Sequence, residues 1–255
     1  ILLVDADVWT GDSVANYYQW ALNYEGYFYD TRPITDTKVL PTAAELSPYD
    51  VVIWANPRSS PGYINADEEL IAYLDGGGRL LISGQDIGYW DDGQGRDPFS
   101  YEHYLHADYV ADDSGVRSLT GTPGDIFAGI TLTMNTSDSA ANQIFPDIIT
   151  PTDSAATTVI SYTDPITISP AGLKIETATY RTIYLAFGLE GVGPRPARRE
   201  TLKRALMWLA MPIFTKTVDR PMARPGDVVT YTLRLTNTMG HAASGLTLLD
   251  SIPAD

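Results

Sequence analysis

A short apolar run that leads into a glycine-flanked turn constrains the fold of this chain more than any other feature. The run is Leu80-Leu81-Ile82, and the turn is the segment SGQDIG at residues 83–88. An apolar run without alternation is typical of a strand that is buried on both faces of a parallel sheet. The flanking glycines permit a sharp turn where such a strand ends. The segment therefore predicts an α/β sheet with a tight turn at its carboxyl edge.

Strand-like and helix-like segments alternate on both sides of this turn. Apolar runs predict strands at residues 1–4, 27–29, 49–55 and 182–189, and apolar periodicity predicts helices that begin at Asp12, Asn65 and Pro196. This alternation predicts a doubly wound, mostly parallel sheet over residues 1–211. Between about residues 90 and 165 the helical periodicity fades. We expect a partly β insertion there, above the carboxyl ends of the strands.

The pattern changes after Met211-Pro212, where residues 213–255 form a second predicted domain. Turns are predicted at 225–227 and 237–240, with strands at 228–236 and 246–250. These are the first strands expected of an immunoglobulin-like β-sandwich. Such a sandwich takes about 100 residues, so this one is predicted to be incomplete.

Charge and composition exclude several classes of function. The net charge is −15, which disfavours nucleic acid and anionic membranes as partners. The chain contains no cysteine, which excludes disulfides, thiolate metal sites and cysteine nucleophiles. No apolar run approaches the ~18 residues of a membrane span. The chain opens directly on a strand without a signal peptide, and it ends abruptly. We expect a piece of a longer polypeptide.

Two segments, taken together, resemble the class I glutamine amidotransferases. That family has G-x-C-x-G at the turn and F-H-P-E after a late strand, where this chain has residues 84–88 (GQDIG) and 187–190 (FGLE). Position by position, Asp86 replaces the cysteine, Gly188 replaces the histidine and only Glu190 is retained. A Cys–His triad requires a thiolate and an imidazole. The resemblance covers residues 1–210 and implies the fold without the amidotransferase chemistry.

A second resemblance concerns the whole chain. Residues 1–7 (ILLVDAD), 73–88 (YLDGGGRLLISGQDIG), 104–107 and 112–115 resemble a module of large secreted bacterial proteins, often found beside subtilisin-like or other extracellular peptidase domains. Residues 225–227, 231–233 and 249–253 resemble the start of a bacterial surface-protein repeat. These resemblances imply an extracellular or cell-surface location and neighbouring domains of the same polypeptide as partners.

Four carboxylates follow predicted strands: Asp5, Asp7, Asp86 and Glu190. Ligands of open α/β sheets bind at this edge, so the four are candidates for binding Mg²⁺ or Ca²⁺ or for acid–base work. Asp86 and Glu190 are the catalytic candidates, and Asp5 and Asp7 are the metal candidates; no other cofactor is expected. The alternative is structural, with Asp5 and Asp7 capping loops and Asp86 accepting backbone N–H bonds.

Polar and aromatic neighbours extend this candidate site. The ligand-binding candidates are Asp5, Asp7, Asn56, Gln85, Asp86, Tyr89 and Trp90. Tyr89 and Trp90 lie just past the turn and would either stack on a glycan or pack in the core. His103 and His106 have metal-like spacing without an evident third ligand, and residues 91–97 lack the full ligand series of a calcium loop.

Three hypotheses follow for the function. The first is a non-catalytic module of a secreted or cell-surface protein, with a degenerate amidotransferase-like site that binds a ligand, a glycan, a peptide or a neighbouring domain near the turn. The second is a carboxylate- or metal-dependent hydrolase that uses Asp86 and Glu190. The third is a structural spacer beside an extracellular peptidase.

Overall fold

The computed structural model describes residues 1–164, 168–211, 213–220, 222–224, 226–236 and residue 247. The chain forms two compact units, Ile1–Ala210 and Met211–Asp255. No helix in the described ranges is long and apolar enough to cross a membrane.

The first unit contains twelve strands, six α-helices and three short helical turns within its described residues. The strands are β1 Leu2–Asp5, β2 Asp30–Pro33, β3 Val52–Ala55, β4 Arg79–Ser83, β5 Ala107–Ala111, β6 Ser118–Gly121, β7 Thr131–Met134, β8 Ile148–Pro151, β9 Ala156–Thr163, β10 Ile168–Glu176, β11 Arg181–Leu185 and β12 Val192–Gly193. The helices are α1 Ala15–Glu25, α2 Ala43–Leu46, α3 Pro61–Ile64, α4 Asp67–Asp75, α5 Pro98–Tyr104 and α6 Arg195–Leu209. Two 3₁₀ turns cover Val8–Thr10 and Leu189–Gly191, and a π-helical turn covers Tyr89–Gly93.

One half of the central sheet is parallel. The order β2-β1-β3-β4-β11 is joined by parallel pairing throughout. This is the flavodoxin-like order of a doubly wound sheet, and its order reverses between β1 and β3. The expected α/β class is confirmed, and the β4 turn lies at the carboxyl edge as expected.

Three strands of the insertion, β6, β7 and β9, belong to the same sheet instead of lying above it. β10 pairs with β11 in antiparallel fashion, and β9, β6, β7 and β12 follow in that order. β5 and β8 form a separate two-stranded sheet. The placement expected from the sequence was therefore wrong for most of the insertion. The apolar side chains of β9, Val159, Ile160 and Tyr162, are buried and extend the core across these strands.

Helices cover both faces of the parallel half. α1 packs against α6 on one face, while α2, α4 and α5 pack together on the other. Neighbouring strand residues point to opposite faces, so Leu3 joins the core under α1 and α6, and Val4 joins the core under α4. Because both faces are covered, the central strands carry continuous apolar runs.

Three predicted boundaries need correction. The second strand begins at Asp30, after the expected residues 27–29. Asp12 does not cap α1, since its first amides bond to Asp5 instead. Asn65 adopts a left-handed conformation that ends α3, and α4 starts after Ala66 without a side-chain cap.

The second unit contains an antiparallel pair, β13 Ile213–Val218 and β14 Tyr231–Thr236. Gly226 in the predicted turn has a φ of 95°, which favours glycine. The predicted turn at 237–240 and the strand at 246–250 lie outside the described residues, apart from residue 247. The described part of this unit does not show an immunoglobulin-like sandwich.

Candidate functional site

Asp7 ties the end of β1 to the loop after β3. Its carboxylate is fully buried and accepts the backbone N–H groups of Arg58 at 2.7 Å and Ser59 at 3.0 Å. The amide of Asn56 also donates to it at 3.3 Å, and the Asn56 oxygen accepts from Trp54 Nε1 at 2.8 Å. Both predicted ligand-binding residues are thus engaged in shaping this loop.

Asp5 has a comparable role at the start of α1. It accepts from Ser13 Oγ at 2.6 Å and from the backbone N–H of Ala15 at 3.2 Å. These bonds satisfy donors that a helix start leaves without partners. Burial raises the pKa of Asp5, while these hydrogen bonds oppose the rise. The structural alternative describes Asp5 and Asp7 better than a metal site does.

Glu190 occupies the space beside Gly188, the position that the sequence resemblance assigns to a histidine. A Cβ atom at Gly188 would lie 2.0 Å from Glu190 Oε1 and 2.5 Å from Gln143 Nε2. The Glu190 carboxylate is fully buried and accepts from Tyr18 Oη and Asn142 Nδ2, each at 3.0 Å. Burial raises its pKa. Glu190 therefore joins Tyr18 of α1 to Asn142 of the insertion inside the protein.

Gln85 and Gly84 hold the turn against neighbouring loops. The Gln85 amide donates to Pro57 O at 3.1 Å, and its oxygen accepts the Ile144 N–H at 2.6 Å. Gly84 is required by close approach, because a Cβ there would lie 1.9 Å from Asn56 O. Gln85 thus joins the turn to the β3 loop and to the insertion.

Asp86 differs from the other predicted carboxylates. It is half-buried, and its carboxylate accepts no hydrogen bond from the described residues. Burial, followed by repulsion from Asp112 and Asp7, raises its pKa to about 7, and Arg58 partly opposes this rise. Glu190 is fully buried and is held by Tyr18 and Asn142, and among the described residues no hydrogen bond joins it to Asp86. The structure therefore does not bring Asp86 and Glu190 together as an acid–base pair.

Asp147 is a site residue that the sequence did not reveal. It precedes β8, it is fully buried, and its Oδ2 accepts the Tyr89 N–H at 3.0 Å. Its Oδ1 has no hydrogen-bond partner among the described residues. Burial, with repulsion from Asp86 and Asp112, raises its pKa to about 9. A lone aspartate in a loop carries no sequence signal for this placement.

Aromatic side chains form a cluster that includes Tyr89 and Trp90, which follow Asp86 closely in the chain. Their ring centroids form a chain of contacts: Trp9–Tyr63 at 6.2 Å, Tyr63–Trp90 at 4.7 Å, Trp90–Tyr89 at 4.9 Å and Tyr89–Tyr109 at 6.4 Å. All five side chains are half-buried. Tyr89 and Trp90 are thus placed in a larger cluster, of which the sequence indicated only two members.

A polar cavity of about 220 Å³ opens where the strand order reverses. The residues lining it are Asp12, Ser13, Val14, Tyr17, Pro57, Arg58, Ala140 and Asn142. Arg58 and Asp12 form an ion pair at 2.6 Å across this region. Reversal of the strand order at the carboxyl edge is the usual place for a ligand in an open α/β sheet.

The histidines do not form a shared metal site. His103 Nδ1 lies 3.0 Å from Phe99 O, whereas His106 bonds to Asp153 at 2.8 Å and to Tyr180 Oη at 3.0 Å. Within the described ranges, no group of three or more histidine and acidic side chains is arranged to hold a metal ion.

Comparison with known proteins identifies the fold. No family model and no curated protein matches the chain. Similar solved structures include a cytoplasmic protein from Salmonella typhimurium (TM-score 0.52, 15% identity, 78% of this chain and 87% of that chain). A second is a ThuA-like protein from Bacteroides uniformis (TM-score 0.51, 14% identity, 82% of this chain and 90% of that chain). A third is a GMP synthase component from Thermoplasma acidophilum (TM-score 0.50, 14% identity, 81% of this chain and 94% of that chain).

The first unit therefore has a glutamine amidotransferase-like fold, also seen in ThuA-like proteins. At these identities the likeness concerns the fold alone. At the positions that the sequence resemblance assigns to a Cys–His–Glu triad, this chain has Asp86, Gly188 and Glu190.

Proposed function

We propose that this chain is a non-catalytic binding module of a secreted or cell-surface bacterial protein. Its ligand would bind at the carboxyl edge, over Asp86 and the aromatic residues Tyr89 and Trp90. The main support is that Glu190 fills the space beside Gly188, while Asp86 is left without a structural hydrogen bond. The scaffold has thus lost its proton-transfer partner and kept an accessible edge.

This site lacks the nucleophile and the base that amidotransferase chemistry needs. An acyl transfer of that kind needs a nucleophile and a base within hydrogen-bond reach of one another. Asp86 has no such partner, and a side chain at position 188 would collide with Glu190. The hydrolase hypothesis with Asp86 and Glu190 meets the same difficulty, because Glu190 is fully enclosed.

The surroundings of Asp86 support a binding role. Half-buried aromatic rings offer a large apolar area with polar rims, which is typical of recognition surfaces. The extracellular location rests on the resemblance of the chain to modules of secreted bacterial proteins. Glycan, peptide and neighbouring domains remain the classes of partner that this resemblance implies.

A combined turnover and binding experiment tests this proposal on the full chain. Ammonia release from L-glutamine and hydrolysis of p-nitrophenyl acetate are measured for the wild type and Asp86→Ala, and we expect neither to exceed the buffer rate. Tryptophan fluorescence is then titrated with three probes: choline, maltohexaose and tetralysine. We expect at least one probe to bind, with the change absent in Trp90→Phe.

The outcomes separate the hypotheses. Turnover that Asp86→Ala abolishes would refute a non-catalytic module. No binding by any of the three probes would favour the structural spacer and overturn the proposal.

A further inference from the structure

Beside the turn, the ring of Tyr89 stands at a steep angle to the rings of Trp90 and Tyr109. Tyr89 and Trp90 meet at 73°, with ring centroids 4.9 Å apart, and Tyr89 and Tyr109 meet at 70°, 6.4 Å apart. We name these three residues the aromatic corner. A Cβ on Gly93 would lie 2.9 Å from Tyr109 Cε1, so this glycine lets the chain pack closely against the ring of Tyr109. The three rings therefore pack edge to face and form a half-buried aromatic surface beside the turn.

Carboxyl groups surround the aromatic corner. Burial and the nearby Asp147, Asp112 and Asp86 raise the pKa of the Tyr109 hydroxyl to about 12. The cation that acts on Asp86 is Arg58, which is itself engaged in an ion pair with an aspartate. Three carboxyl groups, Asp86, Asp112 and Asp147, therefore lie near two cationic groups, Arg58 and Arg96, at this place.

Asp147 provides an independent observation, a buried carboxyl oxygen without a hydrogen bond in the described part of the chain. It is fully buried beside the aromatic corner, and its Oδ1 lacks a hydrogen-bond partner among the described residues. Buried polar atoms without partners are uncommon in folded proteins and require an explanation. A positive charge held by the aromatic corner would favour the ionised forms of Asp147 and Asp86 and so lower their raised pKa values.

We propose that the aromatic corner binds an organic ammonium group, with Asp86 as its counter-charge. This inference rests on the function proposed above and names the ligand class for the same site. Aromatic faces attract cations through the ring quadrupole, and trimethylammonium groups are a well-suited case because they are large and weakly hydrated.

The same surface already binds a cation of the chain itself. The guanidinium carbon of Arg96 lies 5.2 Å from the ring centroid of Tyr63 and 6.0 Å from that of Trp90. A hard divalent ion fits less well, because it needs several oxygen ligands and the described residues contain no such group. An ammonium ion needs only the rings and one carboxylate.

Choline and its neutral isostere 3,3-dimethylbutan-1-ol provide a matched pair of probes for calorimetric titration of the full chain. The two molecules share shape and hydroxyl group and differ in charge. We expect choline to bind at least about tenfold more tightly than the isostere, because attraction to the rings and to a carboxylate acts on the cation alone. We expect Trp90→Ala and Asp86→Asn each to weaken choline binding by at least about threefold.

Two further variants distinguish a loss of choline binding from a loss of folding. Trp90→Phe retains an aromatic wall, so we expect it to bind choline more tightly than Trp90→Ala, which a loss of folding alone would not produce. Tyr24→Ala removes a tyrosine that is 64% exposed on α1, outside the aromatic corner, and should leave choline binding unchanged. Thermal unfolding of each variant checks that the fold is retained.

The possible failures are distinguishable from those of the proposed function. Equal affinity for choline and the neutral isostere would overturn the ammonium inference. Binding of maltohexaose at Trp90 without binding of choline or tetralysine would also overturn it, but would support a binding module.

Discussion

The enclosure of Glu190 leads to a prediction about Gly188. In Gly188→Ala the new Cβ would lie 2.0 Å from Glu190 Oε1, so the carboxylate must move by more than about 1 Å to reach ordinary contact distance. That movement breaks or stretches the bond from Asn142 Nδ2, now 3.0 Å, and disturbs the bond from Tyr18 Oη.

The expected cost follows from these contacts. A hydrogen bond to a charged group contributes about 1.5–3 kcal/mol, and forcing extra volume into a packed interior costs about 1–3 kcal/mol. We expect Gly188→Ala to lower the free energy of unfolding by about 3 kcal/mol. Urea unfolding followed by tryptophan fluorescence measures this, because all five tryptophans lie in residues 1–210.

Gly76→Ala is the matched control. Gly76 has a φ of −73°, and a Cβ there would meet its nearest atoms at 3.4 Å, which is nearly ordinary contact. We expect this variant to stay within about 0.5 kcal/mol of the wild type. In Gly188→Ala/Glu190→Ala the nearer of the two colliding side chains, Glu190 and Gln143, is gone, so the two effects should be less than additive. Equal stability of Gly188→Ala and Gly76→Ala would refute the placement of Glu190.

Further predictions concern the charges around Asp86. Arg96→Gln removes a like charge and frees the ring of Trp90, so choline should bind more tightly in calorimetry; weaker binding would contradict the assignment of the aromatic corner. Because the pKa of Asp86 is about 7, choline affinity should rise as pH increases from 6 to 8, when this carboxyl ionises. The other titratable or charged groups near it are Asp7, Asp112, Asp147, Tyr109 and Arg58. Asp86→Asn should remove the rise. Burial raises the pKa of Asp147 to about 9. The contribution of this group to the free energy of unfolding is therefore largest below its ordinary pKa near 4, and it is lost progressively as pH rises to 9. Asp147→Asn should therefore gain in urea stability relative to the wild type between pH 5 and 9, and an unchanged difference would contradict the burial of an ionisable carboxyl.

The parallel half of the fold was predictable because its signals are local. Apolar runs such as Leu80-Leu81-Ile82 have both faces covered by helices, and no other environment suits such a run as well. Gly84 was predictable as a turn residue, although its physical reason, close approach to Asn56 O, is visible only in three dimensions.

The insertion was harder to predict because its strands alternate and their partners are distant in sequence. β6 pairs with β9 and β7, and β12 closes the edge next to β7. Nothing local in a strand such as Thr131–Met134 indicates which sheet it joins. Asp147 was missed for the same reason, since its burial depends on the packing of the insertion against the turn.

The strand-end carboxylates show why a resemblance in sequence predicts the fold better than the chemistry. Asp5 starts α1, Asp7 holds the β3 loop, and Glu190 binds the insertion to Tyr18. Each of these bonds closes a loop at the carboxyl edge, so each carboxylate has a structural role that requires no catalytic partner. The Asp86 carboxylate makes no such hydrogen bond among the described residues. Of the four, it is therefore the carboxylate whose replacement should change ligand binding more than folding.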